Sequence, residues 1–259
     1  MTTNRLKAKL REGQTTLGGW STLTDSFAAE MVGNLEVDYT VIDMQHGVAS
    51  YPDLIAILQG IGVGGATPLL RVPVSDFGLA QRALDAGVEG LLIPLVDNAE
   101  DAVKAVNACR YPPLGKRSYG PIRARMHIGS DPEAVNDEIL CLVQIETPGA
   151  MENLEAIVGT EGLDGVYVGP ADLAIAHGLP IGTEDPRMEE MLASIVKTCQ
   201  EGHVIAGIHA FSGKAARRAT ERGFSMVSVG SDATWLRAGY SRELAIARGH
   251  EPIDVVGFY

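Results

Sequence analysis

Six polar residues stand at the ends of short apolar runs, where a water-averse segment has no obvious structural use for them. IDMQHG carries Asp43 and His46, and LLRVP carries Arg71. LVQIETP carries Gln144 and Glu146, and GVYVGPADL carries Asp172. Two carboxylates facing one cavity repel each other, and each costs several kcal/mol as an uncompensated buried ion. A divalent cation removes that cost. Carboxylate oxygens suit Mg²⁺ or Mn²⁺, and two protein ligands leave coordination positions open for water and substrate. Glu146 and Asp172 are therefore the candidate metal ligands. The turn Gly169–Pro170–Ala171 opens a helix and presents free N–H groups that can receive a carboxylate. A 2-oxo acid would fit such a site. Arg71 would stabilise the oxygen of an enolate formed when a methyl proton leaves or a carbon–carbon bond breaks. His46, oriented by Asp43, would carry the proton.

Each of these residues alone has a plainer reading. A Glu at a strand end is often a helix cap, an Arg a salt-bridge partner, and a His a satisfied structural group. The carboxylates could also be a structural Glu–Arg pair without metal. What joins them is the arrangement of elements that must position them. Short β-branched runs alternate with longer segments of helical periodicity. The strand candidates are 17–21, 39–43, 68–72, 90–96, 140–146, 165–168, 204–209 and 226–229. Runs such as YTVID and GLLIPLV are continuous rather than alternating, as parallel strands covered on both faces require. Helices are predicted in DSFAAEMVGN, YPDLIAILQGI, SDFGLAQRALDAG, DNAEDAVKAVNAC, TPGAMENLEAIVG and SGKAARRATERG. Gly87 sits at the C-cap of the third.

Eight β–α units imply a closed (β/α)₈ (TIM) barrel of the α/β class, in one domain spanning 1–259. An open doubly wound sheet is the alternative. It lacks support because no G-x-G-x-x-G follows the first strand, and GIGVGG at 60–65 follows a helix and reads as a turn. In a barrel of this kind the C-terminal strand ends form the active face, which would gather all six polar residues. The long connection 111–138 lies between the fourth and fifth strands, and Ser118 and Tyr119 within it are expected to close over the substrate.

The composition excludes several classes. A net charge of −12 argues against nucleic-acid binding. Cys109, Cys141 and Cys199 form no C-x-x-C clip, so neither a disulfide framework nor a zinc site is expected, and a reducing compartment fits. The N-terminus is charged and amphipathic without the apolar core of a secretory signal, and no apolar run approaches a membrane span. The expected location is the cytoplasm, with no membrane partner. The lysines (7, 9, 104, 116, 197 and 214) all fall outside the predicted strands. A Schiff-base mechanism would want one in the barrel interior, so metal-stabilised enolate chemistry is the better reading.

IDMQHG, LLRVP, RYPPLGKRSYG, VQIETPGAMENLEAI and GLDGVYVGPADL together resemble the metal-dependent class II pyruvate aldolases of the HpcH/HpaI family. The resemblance runs from GGW at 18–20 to VSVGSDATWL at 227–236, with its motifs in order. It implies a (β/α)₈ barrel that reversibly cleaves 4-hydroxy-2-oxo acids to pyruvate, or hydroxypyruvate, and an aldehyde. It implies a divalent ion (Mg²⁺, Mn²⁺ or Co²⁺) on Glu146 and Asp172 and no organic cofactor. It also implies roles for Arg71, for His46 with Asp43, for Gln144, and for a carboxylate seat at Gly169, Pro170 and Ala171. Family members assemble as hexamers and exchange the last helix, here roughly 235–248. The chain departs from the pattern in having Gln45 where many relatives have Glu, and His209 and Phe211 where the end of strand seven is often aliphatic. Phe211 and Trp20 are read as walls of the aldehyde pocket. Two other readings share the fold. One is an acyl-CoA lyase of the citrate lyase β or malyl-CoA type, which would need a basic surface at the mouth, for which Arg117, Arg123 and Arg125 are candidates. The other is a non-catalytic keto-acid-binding barrel.

Overall fold

A computed structural model describes residues 3–74 and 76–251. Eight strands close into one parallel barrel in sequence order. They are β1 (Thr16–Ser21), β2 (Tyr39–Asp43), β3 (Thr67–Arg71), β4 (Gly90–Ile93), β5 (Leu140–Ile145), β6 (Gly165–Val168), β7 (Ile205–Ala210) and β8 (Met226–Ser231). β1 closes the ring against β8, with Leu17 opposite Val227. The eight expected strands are all present. The fourth is shorter than its apolar run because Pro94 has no N–H to give a ladder and Leu95 turns into the left-handed region at φ 53°.

Strand parity divides the core in two. Trp20, Tyr39, Val41, Leu69, Leu92, Leu142, Tyr167 and Met226 fill the barrel interior. Their chain neighbours Ile42, Leu70, Leu91, Val143, Val166, Ile208 and Val227 face the helical shell. The large rings of Tyr39 and Tyr167 fit inside because Gly18 and Gly207 face them. A Cβ at Gly18 would lie 2.5 Å from the Tyr39 ring, and one at Gly207 would lie 2.4 Å from the Tyr167 ring.

The predicted helices form with some corrections. TPGAMENLEAIVG is two short helices, Pro148–Glu152 and Leu154–Val158, separated at Asn153. The helix of SDFGLAQRALDAG runs Phe77–Ala86 behind an Asp76 cap, and Ser75 lies outside the described residues. GIGVGG is not a turn up to its last residue, since Tyr51–Gly64 is one helix that ends on left-handed Gly65. Its glycines allow close approach to Ser26–Gly33. A Cβ at Gly64 would fall 1.7 Å from the Gly33 carbonyl oxygen, and one at Gly60 2.3 Å from that of Ser26. The amphipathic N-terminus is the helix Arg5–Arg11, which plugs the barrel's lower end with Leu6. Lys7 is buried there, 2.7 Å from Asp164, and donates to the Ile139 carbonyl. Asp164 and Ile139 precede β6 and β5, so this buried lysine lies at the end opposite the strand C-termini.

The connection 111–138 also lies at that lower end. It runs from the helix Ala99–Cys109 to β5, and a helix-to-strand connection sits at the strands' N-terminal side. It contains a 3₁₀ turn, Ala124–Met126, and the helix Pro132–Glu138. Tyr119 stacks 5.6 Å from Tyr111 and donates to the Ser130 carbonyl, while the Ser118 N–H donates to Gln81. Neither can close over the upper face. Arg117 pairs with Asp85, and Arg123 donates to the Ala86 carbonyl at the C-terminal end of Phe77–Ala86. Among the described residues no helix is long and apolar enough to cross a membrane.

Glu89, half-buried just before β4, has its pKa pushed up to about 7 by burial, with the Glu138 charge adding and Arg5 opposing. The folded state therefore holds a proton that the unfolded chain sheds near pH 4.5, so stability falls as pH rises through that window. Glu89→Gln should gain about 1–2 kcal/mol at pH 8, discounted for partial solvent screening, and almost nothing at pH 5. Thermal melts at the two pH values check this; equal shifts at both would contradict it.

Candidate active site

Inward parity carries the polar residues to the upper end of the barrel. Asp43 ends β2 and Arg71 ends β3 directly opposite it in register. Gln144 on β5 and Glu146 just past its end follow Leu142 at two-residue spacing, and Gly169 follows Tyr167 beyond β6. A small cavity opens here. Trp20, Arg71, Gln144 and Phe211 line it, with Gly169, Pro170, Ala171 and Asp172 forming the β6 side and His209 the β7 side. Eight of the eleven residues read as site members thus share one wall. Asp43, Glu146 and His46 are placed differently.

Asp43 is fully buried behind Arg71. Arg71 Nε donates to Oδ1 at 2.9 Å and Nη2 to Oδ2 at 2.6 Å, a two-pronged pair with both partners nearly sealed from water. The guanidinium also lies over the Trp20 ring, 4.5 Å from its centroid. The Asp43 carboxylate further accepts the backbone N–H groups of Gln45 and His46, at 3.1 and 3.2 Å. It thereby fixes the turn that presents His46, an exposed residue on the loop after β2. The Gln45 amide oxygen is buried without a hydrogen-bond partner.

Glu146 stands beside the cavity residues Gln144 and Gly169 and is 3% exposed. Its Oε1 accepts the Leu95 N–H at 2.7 Å, and its Oε2 accepts from Gln144 Nε2 at 3.2 Å. The Leu95 contact explains why that residue holds a left-handed backbone, a conformation a leucine adopts only under constraint. Gly169 is required beside it, because a Cβ there would lie 2.6 Å from Glu146 Oε2. Burial raises the Glu146 pKa to about 7. The Leu95 N–H opposes the shift, and the negative charge of Asp172 adds to it.

These residues fit a divalent cation. Glu146 is an acid whose charged form is disfavoured by burial and by a second carboxylate, and the nearby Gln144 Oε1 is buried with no hydrogen-bond partner. All the donors are hard oxygens. Among the described residues no three His, Cys, Asp or Glu cluster as a closed metal site. A cation held by Glu146 and Asp172 would keep its remaining positions for water and substrate. His46 and Glu146 are not cavity walls themselves; His46 is exposed on the loop after β2, and Glu146 is buried beside Gln144.

The helix Pro170–Ala176, capped by Gly169, carries Asp172 in its first turn. The last helix, Asp232–Ala247, is tied to the same upper end. Asp232 accepts from the Thr22 N–H and, at 2.6 Å, from its hydroxyl. Reasoning from strand ends did not reach Leu95, Tyr167 or Ser228. Tyr167 and Ser228 lie deeper in the same inward columns and could have been found by parity. The Leu95 backbone has no sequence signal. Arg117 and Arg123 lie at the opposite face, with Arg125, whose Nε donates to the Pro121 carbonyl, in the same connection. No basic surface from this trio stands at the cavity mouth.

The sequence and fold have clear relatives. The chain is 37% identical over 236 residues to a hydroxypyruvate/pyruvate aldolase of Agrobacterium fabrum, covering 89% of this chain and 88% of that one. It is 34% identical over 255 residues to a 2-keto-3-deoxy-L-rhamnonate aldolase of Salmonella gallinarum, covering 97% and 96%. The crystal structure of an HpcH/HpaI aldolase/citrate lyase family protein from Burkholderia cenocepacia superimposes with a TM-score of 0.88 at 30% identity, covering 95% of this chain and all of that one. The family model HpcH/HpaI aldolase/citrate lyase matches residues 16–238, and this chain belongs to that family.

Proposed function

We propose that this enzyme is a carbon–carbon lyase that reversibly cleaves 4-hydroxy-2-oxo acids to pyruvate or hydroxypyruvate and an aldehyde, and that it requires a divalent cation. The observation that carries the reading is the buried Glu146 carboxylate. It lies against Gln144 and Gly169 at a small cavity, and it feels the charges of Asp172 and of an arginine fixed in place. The cation would rest on Glu146 and Asp172, where it would act as a Lewis acid toward the 2-oxo group and the carboxylate of the donor.

The chain's own groups supply the rest. The backbone at Gly169–Ala171 receives the donor carboxylate, while Gln144 packs beside it. Arg71 is held by Asp43 and the Trp20 face, so it cannot swing away. Its guanidinium meets the oxygen on which negative charge grows, without reorganising during the reaction. In the cleavage direction His46 accepts the proton of the C4 hydroxyl. The C3–C4 bond breaks, its electron pair forms the C2–C3 double bond of the enolate, and the aldehyde departs. A proton returned to C3 completes the donor. Trp20 and Phe211 bound the aldehyde side with rings that exclude water.

The acyl-CoA alternative loses its supporting feature, because the arginine trio that would recognise the cofactor is at the far end of the barrel. The assembly is proposed to be a homohexamer in which helix Asp232–Ala247 exchanges between subunits. Trp235, Leu236, Tyr240 and Leu244 are exposed on that helix, a surface better suited to a neighbour than to water. Three buried, free cysteines fit a reducing cytoplasm.

Glu146→Gln and Asp172→Asn should each fold with near-native melting and lower the turnover of hydroxy-oxo acids by at least about a thousandfold. Borohydride with pyruvate should leave the mass of the protein unchanged, whereas a covalent adduct would sink the mechanism. Glu146 must be ionised to hold a cation. Mn²⁺ affinity measured by calorimetry should therefore rise from pH 5.5 toward the carboxyl's value of about 7 and flatten above it, with protons released to buffer at the lower pH. An affinity independent of pH across that range would contradict this. Light scattering should give a mass six times the 27.5 kDa chain, and a monomer would refute the assembly.

A further inference from the structure

The cavity has four polar walls, Arg71, Gln144, Asp172 and His209. The proposed reaction uses the first three. His209 has no task in it, yet it is held by three neighbours, Ser228, Trp20 and Phe211. It stands on β7 opposite Ser228 on β8, with both side chains inward. Its ring lies edge-on between Trp20, at 5.2 Å, and Phe211, at 4.9 Å. Nδ1 is 2.9 Å from Ser228 Oγ.

Counting protons settles which nitrogen carries the hydrogen. Trp20 Nε1 can only donate, and it donates to Ser228 Oγ at 3.0 Å. The Tyr167 hydroxyl donates to the same oxygen at 2.9 Å. With both lone pairs of Ser228 engaged, its own hydrogen must point at His209 Nδ1, which therefore accepts. The neutral imidazole then bears its hydrogen on Nε2, at the ring edge away from Ser228. Burial and the positive charge of Arg71 push the imidazole's pKa down to about 3, so it stays neutral. No hydrogen bond from Nε2 to another described residue accompanies this, and His209 is a wall of the cavity. The result is a rigid, uncharged N–H donor facing the space beside Trp20 and Phe211.

A pyruvate methyl group in that space would leave the N–H desolvated and unanswered. A hydroxyl on the same carbon would accept from it. We propose that His209 selects the donor substrate, giving its Nε2–H to the C3 hydroxyl of a 3-hydroxy-2-oxo acid, so that hydroxypyruvate is preferred over pyruvate. This inference rests on the aldolase reading above and names the donor class for that site. Ser228 and Tyr167, with the Trp20 N–H, act through His209 by fixing its tautomer.

The test compares kcat/KM for aldol addition of hydroxypyruvate and of pyruvate to glycolaldehyde, in the metal-loaded enzyme and two variants. His209→Leu removes the donor. His209→Gln keeps an acceptor for Ser228 and an N–H for the cavity. The wild type should favour hydroxypyruvate. His209→Leu should lose about 10- to 100-fold on hydroxypyruvate while pyruvate changes less than about threefold, and His209→Gln should recover most of the preference. Equal losses on both donors in His209→Leu, which a structural role or a contact to the aldehyde would give, overturn the inference but leave the aldolase reading standing. A wild type that adds neither donor overturns both.

Discussion

The site is organised around the difficulty of keeping a buried carboxylate beside a cavity. Glu146 is almost sealed from water and has Asp172 for a neighbour, so its charged form is disfavoured. What surrounds it follows from that. Leu95 adopts a left-handed backbone to bring an N–H to one carboxylate oxygen, the Gln144 amide meets the other, and Gly169 carries no side chain because a methyl would collide with it. These partial compensations leave an acid that still prefers its proton near neutrality. In the proposed reaction a cation would complete the balance, where a Lewis acid is required. On that reading, the disfavoured charge of Glu146 and its capacity to hold a cation are the same property.

The second fixed feature is Arg71. A guanidinium on a flexible stem would sample many positions, but the paired bonds to Asp43 and the ring of Trp20 leave it one. Trp20 is itself held by Ser228 through its N–H, and Ser228 by Tyr167 and His209. The upper part of the barrel interior is thus one continuous polar network with few free rotors. Below it, Leu69, Leu92, Leu142 and Met226 make a dry floor. Preorganised polar groups above an apolar plug let fixed dipoles act on developing charge without rearrangement.

Much of this was legible in the sequence because the inward column of a parallel strand has a period of two. Once Leu142 is placed inside, Gln144 and Glu146 must follow, and the same step leads from Val41 to Asp43, from Leu69 to Arg71 and from Gly207 to His209. The GPAD turn and the Gly87 C-cap were equally plain, since each is a local signal. What was not legible depends on three dimensions. The length of 111–138 drew attention, but length says nothing about which face a loop occupies. Its place between a helix and a strand does, and that puts Ser118, Tyr119 and the three arginines at the wrong end. The glycines of GIGVGG looked like a turn because glycine is common in turns. Only the approach of the helix Ser26–Gly33 reveals that two of them serve packing.

The central claim is that this constellation makes an enolate of a 2-oxo acid only when a divalent cation joins Glu146 and Asp172. It is tested most directly by following the C3 hydrogens of pyruvate and of hydroxypyruvate in D₂O by NMR, with chelated protein and then with Mg²⁺ or Co²⁺ added. No aldehyde needs to be known for this. The account predicts that deuterium enters C3 of at least one donor only after a cation is supplied, and that chelator stops it again. Exchange undiminished by chelator, or none of either donor with any cation, would contradict it.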